Sequence, residues 1–304
     1  MSLIRELFFE SWKEHGPRDA ERKAGQRPPD GVLAKRNIVY LQQEDRVEQM
    51  DIFFPEQMEG KLPVIVDVHG GGWVYGNKEL NEYYCMELAG LGFVVCDINY
   101  RLCPTTDLKG QVQDVTAAMQ WVFEHIEAYG GDADRIAMTG DSAGAQLVFL
   151  TCAAVENEKY REIYAISSWK KRVKALGLTC PVACLHEMAE SSDEMTREWM
   201  RVLYGGDPED ADYWKYSDYK DILHDCKEFP PVYILTTKGD KKYYHQSLEL
   251  HERMSKCHTE HVYREWESRE NVELGHVFNV LYPENKDSLD ADREMIEFFL
   301  KYMR

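Results

Sequence analysis

No run in this chain is long and apolar enough to span a bilayer. Its opening segment, MSLIRELFFESWKEHG, has no uninterrupted apolar core of the kind an export signal carries, because Arg5, Glu6, Glu10 and Lys13 break it. Positive charge is scarce: 36 Lys and Arg against 54 Asp and Glu give a formal net charge of -18 over 304 residues. A surface of that sign repels phosphate backbones and anionic membranes, so neither a nucleic-acid partner nor membrane insertion is expected. The eight cysteines include no Cys-x-x-Cys pair, and several fall in apolar runs, which reads as reduced core thiols. Cys180 and Cys184 are too few for a zinc site, and His258-x-x-His261 has no acidic or cysteine partner at useful spacing, so no metal or other cofactor is expected. The same absences predict a cytoplasmic protein. They leave its oligomeric state open.

What is present is an alternation of strands and helices. LPVIVDV, GFVVCDINY, the stretch Arg135–Thr139, VKALGLTCPV, PVYILTTKG and EHVYREW read as strands. Between them lie helical stretches near 79–89, 110–129, 142–156 and 243–255, and 291–302 closes the chain. NIVYLQQ and VEQMDIFFP suggest a hairpin about Glu44-Asp45. This order predicts an α/β fold with a mostly parallel central sheet covered by helices on both faces. Leu3, Ile4, Leu7, Phe8 and Trp12 recur at helical spacing and predict an N-terminal helix docked on its own domain. The stretch 186–227 has no strand run but many aromatic residues. The chain therefore reads as one domain over 1–304, with cap elements at about 1–30 and 186–227.

Two glycine-rich stretches carry the chemistry. HGGGWVYG (69–76) follows a β-branched strand, and three consecutive glycines there weaken the backbone unless a ligand must approach its N–H groups. MTGDSAGA (138–145) contains Gly-x-Ser-x-Gly between a predicted strand and a helix, the strand–elbow–helix context that lifts a serine hydroxyl out of a sheet. A serine that merely caps an ordinary helix would explain Ser142 but not both glycines. Asp141 would sit at the head of that helix, where a carboxylate is favourable. A nucleophilic serine needs a base, and the base an orienting acid, in the chain order serine, acid, histidine. Asp240 follows one predicted strand and His276 follows the last, which suits both. His245, His251, His258 and His261, and Asp218, Asp221 and Asp225, read instead as solvated surface groups. The glycine amides, together with that of Ala143, would stabilise the oxyanion formed by attack on an ester carbonyl. His69 would brace the loop, and Trp73 could wall the pocket.

HGGGW, NYRLCP, GDSAG, the Asp240 segment and GHVF together resemble the hormone-sensitive-lipase-like branch of the α/β-hydrolases, over about Val64 to the C-terminus. The resemblance implies an α/β-hydrolase fold with a helical cap, Ser142 as nucleophile, His276 as base and Asp240 as acid. It implies an oxyanion hole from Gly71, Gly72 and Ala143, and structural roles for Tyr100, Arg101 and Asp114. It also implies a carboxylesterase-type serine hydrolase that takes a small-molecule ester of short to medium chain through an acyl-enzyme. One departure stands beside the candidate acid: Lys241-Lys242 occupy the place where an apolar residue usually follows. The same triad could serve a carbohydrate O-acetyl esterase or an arylformamidase, and a non-catalytic ligand receptor on this scaffold is a further alternative.

Overall fold

The computed structural model describes residues 2–44, 46–226 and 228–304, so Asp45 of the expected hairpin turn and Lys227 at the end of the expected cap lie outside the described residues. Among the described residues eight strands form one sheet: β1 (Val32–Gln43), β2 (Arg46–Pro55), β3 (Leu62–Val68), β4 (Val94–Ile98), β5 (Gly131–Asp141), β6 (Ala175–Thr179), β7 (Val232–Thr236) and β8 (His261–Glu265). Their order is β1-β2-β4-β3-β5-β6-β7-β8. β1 and β2 pair antiparallel, β2 joins β4 antiparallel, and β3 to β8 run parallel.

The sequence pattern explains the layering. β4, β6 and β7 are buried at every position and β3 at all but its first, as strands covered on both faces must be. β1 and β8 are edge strands with many exposed positions. β5 is longer than the 135–139 run predicts, because Gly131 already pairs with Leu62 before an irregularity that resets the register at Val64 and Ile136. The helix Leu108–His125 begins where Asp107 accepts a hydrogen bond from the Gly110 N–H, at 2.9 Å. A helix at Glu158–Tyr164, capped by Asn157, was not legible from periodicity. No helix among the described residues is long and apolar enough to cross a membrane.

The N-terminal segment forms two helices, Leu3–Lys13 and His15–Ala24. The stretch after β6 holds the helices Leu185–Ala189, Glu194–Leu203 and Tyr219–Asp225, with short 3₁₀ turns and no strand among the described residues. Glu194–Leu203 packs on the first N-terminal helix: Trp199 lies 6.4 Å from Phe8 and 5.5 Å from Trp12, ring centre to ring centre. These segments meet above the C-terminal ends of the parallel strands, where ligand sites form in sheets of this kind.

Candidate active site

Ser142 joins β5 to the helix Ala143–Glu156 with φ 53° and ψ −116°. That is a costly conformation for a residue with a side chain, and it persists only where the surroundings enforce it. The enforcement is visible. The Ser142 N–H donates to the Thr179 carbonyl at 2.9 Å, and the helix packs so tightly under β3 that a Cβ on Gly144 would lie 1.9 Å from the Val68 carbonyl oxygen. A Cβ on Gly140 would lie 2.7 Å from the Gly144 carbonyl carbon. The Ser142 hydroxyl makes no capping hydrogen bond to the helix, so a serine cap does not account for it.

Asp240 follows β7 and is 2 % exposed. Its Oδ2 lies 2.7 Å from His276 Nδ1, and its Oδ1 accepts from the Tyr243 N–H at 3.1 Å. A proton on Nδ1, directed at this carboxylate, leaves Nε2 of the imidazole as an acceptor. Ser142 and His276 line one cavity of about 460 Å³. No hydrogen bond joins the Ser142 hydroxyl to His276 among the described residues; such contacts tighten when a substrate is bound.

The glycine loop forms the facing wall. Gly71 has φ 100°, its carbonyl accepts from the Val74 and Tyr75 N–H groups at 3.2 and 3.0 Å, and a Cβ there would meet the Tyr75 carbonyl oxygen at 2.0 Å. Gly71 and Gly72 both line the cavity, and their own N–H groups donate no hydrogen bond among the described residues. Ala143 is the first residue of its helix, so its amide has no acceptor within that helix. His69 is fully buried, stacked on Tyr100 with ring centres 4.4 Å apart, and its Nδ1 lies 2.7 Å from the Gly70 carbonyl. Burial pushes its pKa down to about 4, so it is a neutral brace. Tyr100 donates to the His69 carbonyl at 2.9 Å, and Asp114 accepts from Arg101 Nε and Nη2 at 2.9 and 2.8 Å.

Two expectations need correction, and a third holds only in part. Trp73 does not wall the pocket: it is fully buried, adopts φ 64°, and its Nε1–H donates to Gln146 Oε1 at 3.2 Å. The turn that presents the glycines rotates the next side chain into the core. Asp141 does stand at the helix head, one residue before the Ser142 cap, but its side chain is committed elsewhere. It ends β5, fully engulfed, and its Oδ1 accepts from the Gly70 N–H and from Asn81 Nδ2, both at 2.8 Å. Asp218 is not a solvated surface group but buried, accepting from the Lys220 and His186 N–H groups at 3.0 and 3.1 Å.

The residues that do complete the cavity come from Phe8, Trp12, Met195 and Trp199 of the two packed helices and from Lys242 and Tyr243 beside Asp240. Trp199 is tied to the glycine loop, its Nε1–H donating to the Gly72 carbonyl at 2.8 Å. The apolar spacing of the first helix and the aromatic content of 186–227 were the signals for this wall; nothing local marks which cap aromatic meets it.

Of three groups with metal-ligand spacing among the described residues, two are otherwise engaged. The ligand atoms of Cys180, Asp240 and His276 lie within 4.8 Å of one another, as do those of Asp67, Cys85 and Asp97. In the first set the Asp240–His276 hydrogen bond occupies the shared position. In the second, burial pushes all three groups toward their protonated forms, which opposes metal binding.

Comparison with known proteins agrees with this architecture. The sequence profile of the BD-FAE family matches residues 50–254, more than half of the chain. A probable carboxylic ester hydrolase of Mycobacterium tuberculosis, LipM, is 29% identical over 64% of this chain and 46% of its own length. A probable isoprenylcysteine alpha-carbonyl methylesterase of Arabidopsis thaliana, ICMEL1, is 34% identical over 40% of this chain and 25% of its own length. The chain thus spans less than half the length of these curated relatives. Esterase B from Lactobacillus rhamnosis superposes with a TM-score of 0.90 at 28% identity, covering 99% of this chain and 95% of its own. The chain belongs to the BD-FAE family, and its fold is that of the α/β-hydrolases.

Proposed function

We propose that this chain is a serine carboxylic ester hydrolase acting on short- to medium-chain esters. The observation that carries the reading is the convergence on one cavity of the strained Ser142, of His276 held from behind by Asp240, and of two unengaged glycine amides. His276 Nε2 takes the proton of the Ser142 hydroxyl as its oxygen attacks the ester carbonyl. The negative charge on the carbonyl oxygen is met by N–H groups of Gly71, Gly72 and Ala143, each such donor being worth about 3–4 kcal/mol in the transition state. His276 then protonates the leaving alcohol. In the second half a water molecule, deprotonated by the same histidine, frees the acid from Ser142. Asp240 holds the imidazole and stabilises its charged form. The segments 1–30 and 186–227 act as the cap over a single hydrolase domain.

The chain-length reading draws support from a related structure, in which Esterase B is inhibited by a tributyrin phosphonate. The cavity volume of about 460 Å³ suits an acyl chain of modest length. A cytoplasmic location draws support from the free thiols of Cys85, Cys96, Cys103, Cys152, Cys180 and Cys184.

The test is hydrolysis of the p-nitrophenyl esters of acetate, butyrate, octanoate and laurate by the wild type and by Ser142→Ala. Turnover fastest on the shorter chains and reduced at least about 10⁴-fold in the variant is expected. Equal rates for the two proteins would exclude Ser142 as the nucleophile, and acetylated sugars and arylformamides would be tried next.

A further inference from the structure

The two lysines that follow the candidate acid part company in the fold. Lys241 points outward and pairs with Glu273 at 2.8 Å. Lys242 is also exposed, but its side chain borders the cavity. Its ammonium lies 5.3 Å from the ring centre of Trp199 and 5.1 Å from that of Tyr243. It has no ion-pair partner among the described residues, although this chain carries an excess of carboxylates.

The acidic groups on the same wall make their hydrogen bonds to other partners. Asp240 is hydrogen-bonded to His276. Asp193 caps the helix Glu194–Leu203, accepting from the Thr196 N–H and hydroxyl at 2.9 and 2.6 Å. Asp19 is engaged by Arg22 at 3.0 Å and by the Tyr75 hydroxyl at 2.7 Å. Asp141 is held by Gly70 and Asn81. Lys242 is therefore a cation placed against aromatic faces with no carboxylate in direct contact among the described residues, although Asp193 and Asp240 attract it from a distance. The residue is exposed overall, and partial burial of the ammonium against the cavity wall pushes its pKa below the ordinary lysine value, against the opposing pull of Asp193 and Asp240. Aromatic faces offset only part of that cost. A bound anion would offset the rest.

Position supplies the substrate class. The Trp199 indole lies under Lys242 on one side and is hydrogen-bonded to the Gly72 carbonyl on the other. An ester carbonyl seated at the glycine amides thus faces the same cavity as the ammonium, with the Trp199 indole in contact with both the glycine loop and Lys242.

We propose that Lys242 is a specificity-determining residue that donates to the carboxylate of a substrate which is itself a half-ester, an acyl chain ending in an ionised acid. The proposal rests on the ester-hydrolase reading above and names its substrate class. Lys242 is the one lysine or arginine lining the cavity among the described residues, and a single ammonium fits a carboxylate better than a phosphate, whose charge calls for several donors.

The test compares kcat/KM of the full chain for the mono-p-nitrophenyl ester of adipate and for p-nitrophenyl hexanoate, which share a six-carbon acyl chain and differ in the terminal carboxylate. The wild type is expected to use both. Lys242→Met is expected to lower the adipate-to-hexanoate ratio by on the order of tenfold or more, the usual worth of a charge-assisted hydrogen bond. Lys242→Arg should keep most of the ratio and Lys242→Glu should depress it further. Lys241→Met, on the outward-facing neighbour, should leave it as in the wild type. A ratio that stays within twofold in Lys242→Met, or a wild type that turns over hexanoate but not the half-ester, overturns the subsite and leaves the hydrolase reading standing. A wild type inert on hexanoate itself overturns the hydrolase reading, and this proposal with it.

Discussion

Asp141 shows how a single side chain outside the proposed triad governs the site. It immediately precedes Ser142, yet its carboxylate reaches back to the glycine loop, where Oδ1 accepts from the Gly70 N–H at 2.8 Å. Asn81 Nδ2 donates both to that oxygen at 2.8 Å and to Asp67 Oδ2 at 2.9 Å, so loop, elbow and β3 are joined through one buried network. Removing the acceptor leaves a buried N–H without a partner, at a cost of about 1–3 kcal/mol, and releases the segment that carries the Gly71 and Gly72 amides. Asp141→Ala is therefore expected to lower kcat by about 10²-fold, the scale of one lost oxyanion donor, while KM moves by less than about threefold. Asp141→Asn keeps an acceptor oxygen in place and should recover most of the rate. A pure loss of folding would instead lower the active fraction of both variants, visible as reduced active-site titre with normal kcat per titrated site. The sequence marked Asp141 only as a carboxylate near a helix head, because its real partner, Gly70, lies 71 positions away and no periodicity connects the two.

At the scale of elements, the parallel strands were legible because burial on both faces demands continuous apolar runs, and VIVDV, VVCDI and VYILT contain little else. Ser142, Asp240 and His276 were legible because each follows a strand in the order that the fold requires. The cavity wall was not. Trp12 and Trp199 meet at 5.5 Å through the packing of two helices far apart in the chain, whereas Trp73, adjacent to the glycines in sequence, is turned into the core by its own positive φ. The packed pair of helices makes a prediction of its own. Trp199 fastens the helix Glu194–Leu203 to the Gly72 carbonyl and fills the space against Phe8 and Trp12. Trp199→Ala should loosen that wall while Asp141 still holds Gly70. Steady-state kinetics should then show KM for p-nitrophenyl hexanoate raised by about tenfold, with kcat falling less and the acetate ester less affected than the hexanoate. Equal losses on acetate and hexanoate would mean that these helices take no part in acyl selection.

Across the whole molecule the excess of acid extends inward, and this sets the direction of its pH dependence. Asp67 on β3 and Asp97 on β4 are paired in register and fully buried. Asp67 Oδ1 and both carboxylate oxygens of Asp97 have no hydrogen-bond partner among the described residues. Burial, reinforced by Asp141, pushes Asp67 up to about 8; burial and Asp67 push Asp97 well above the carboxylate range, and burial does the same to Asp292. A carboxyl group held protonated in the folded chain ionises more readily once unfolded. From about pH 4 to about pH 8 the folded state therefore binds more protons than the unfolded one, and stability falls as pH rises through that window. His69, pushed down to about 4, acts in the opposite sense: the unfolded chain takes up its proton below about pH 6.5, so stability falls there as pH drops. The net negative charge of the chain, formally -18, adds self-repulsion at the surface that grows with pH. The thermal midpoint is accordingly expected to fall by about 5 °C between pH 6 and pH 8.5. Added salt should restore the share due to surface repulsion but not the share due to the buried acids, which it cannot screen. Asp67→Asn keeps the acceptor for Asn81 and removes the ionisation, so its melting curve against pH should be shallower than that of the wild type at both low and high salt. Parallel curves for the two proteins would place the alkaline loss entirely in the surface charge.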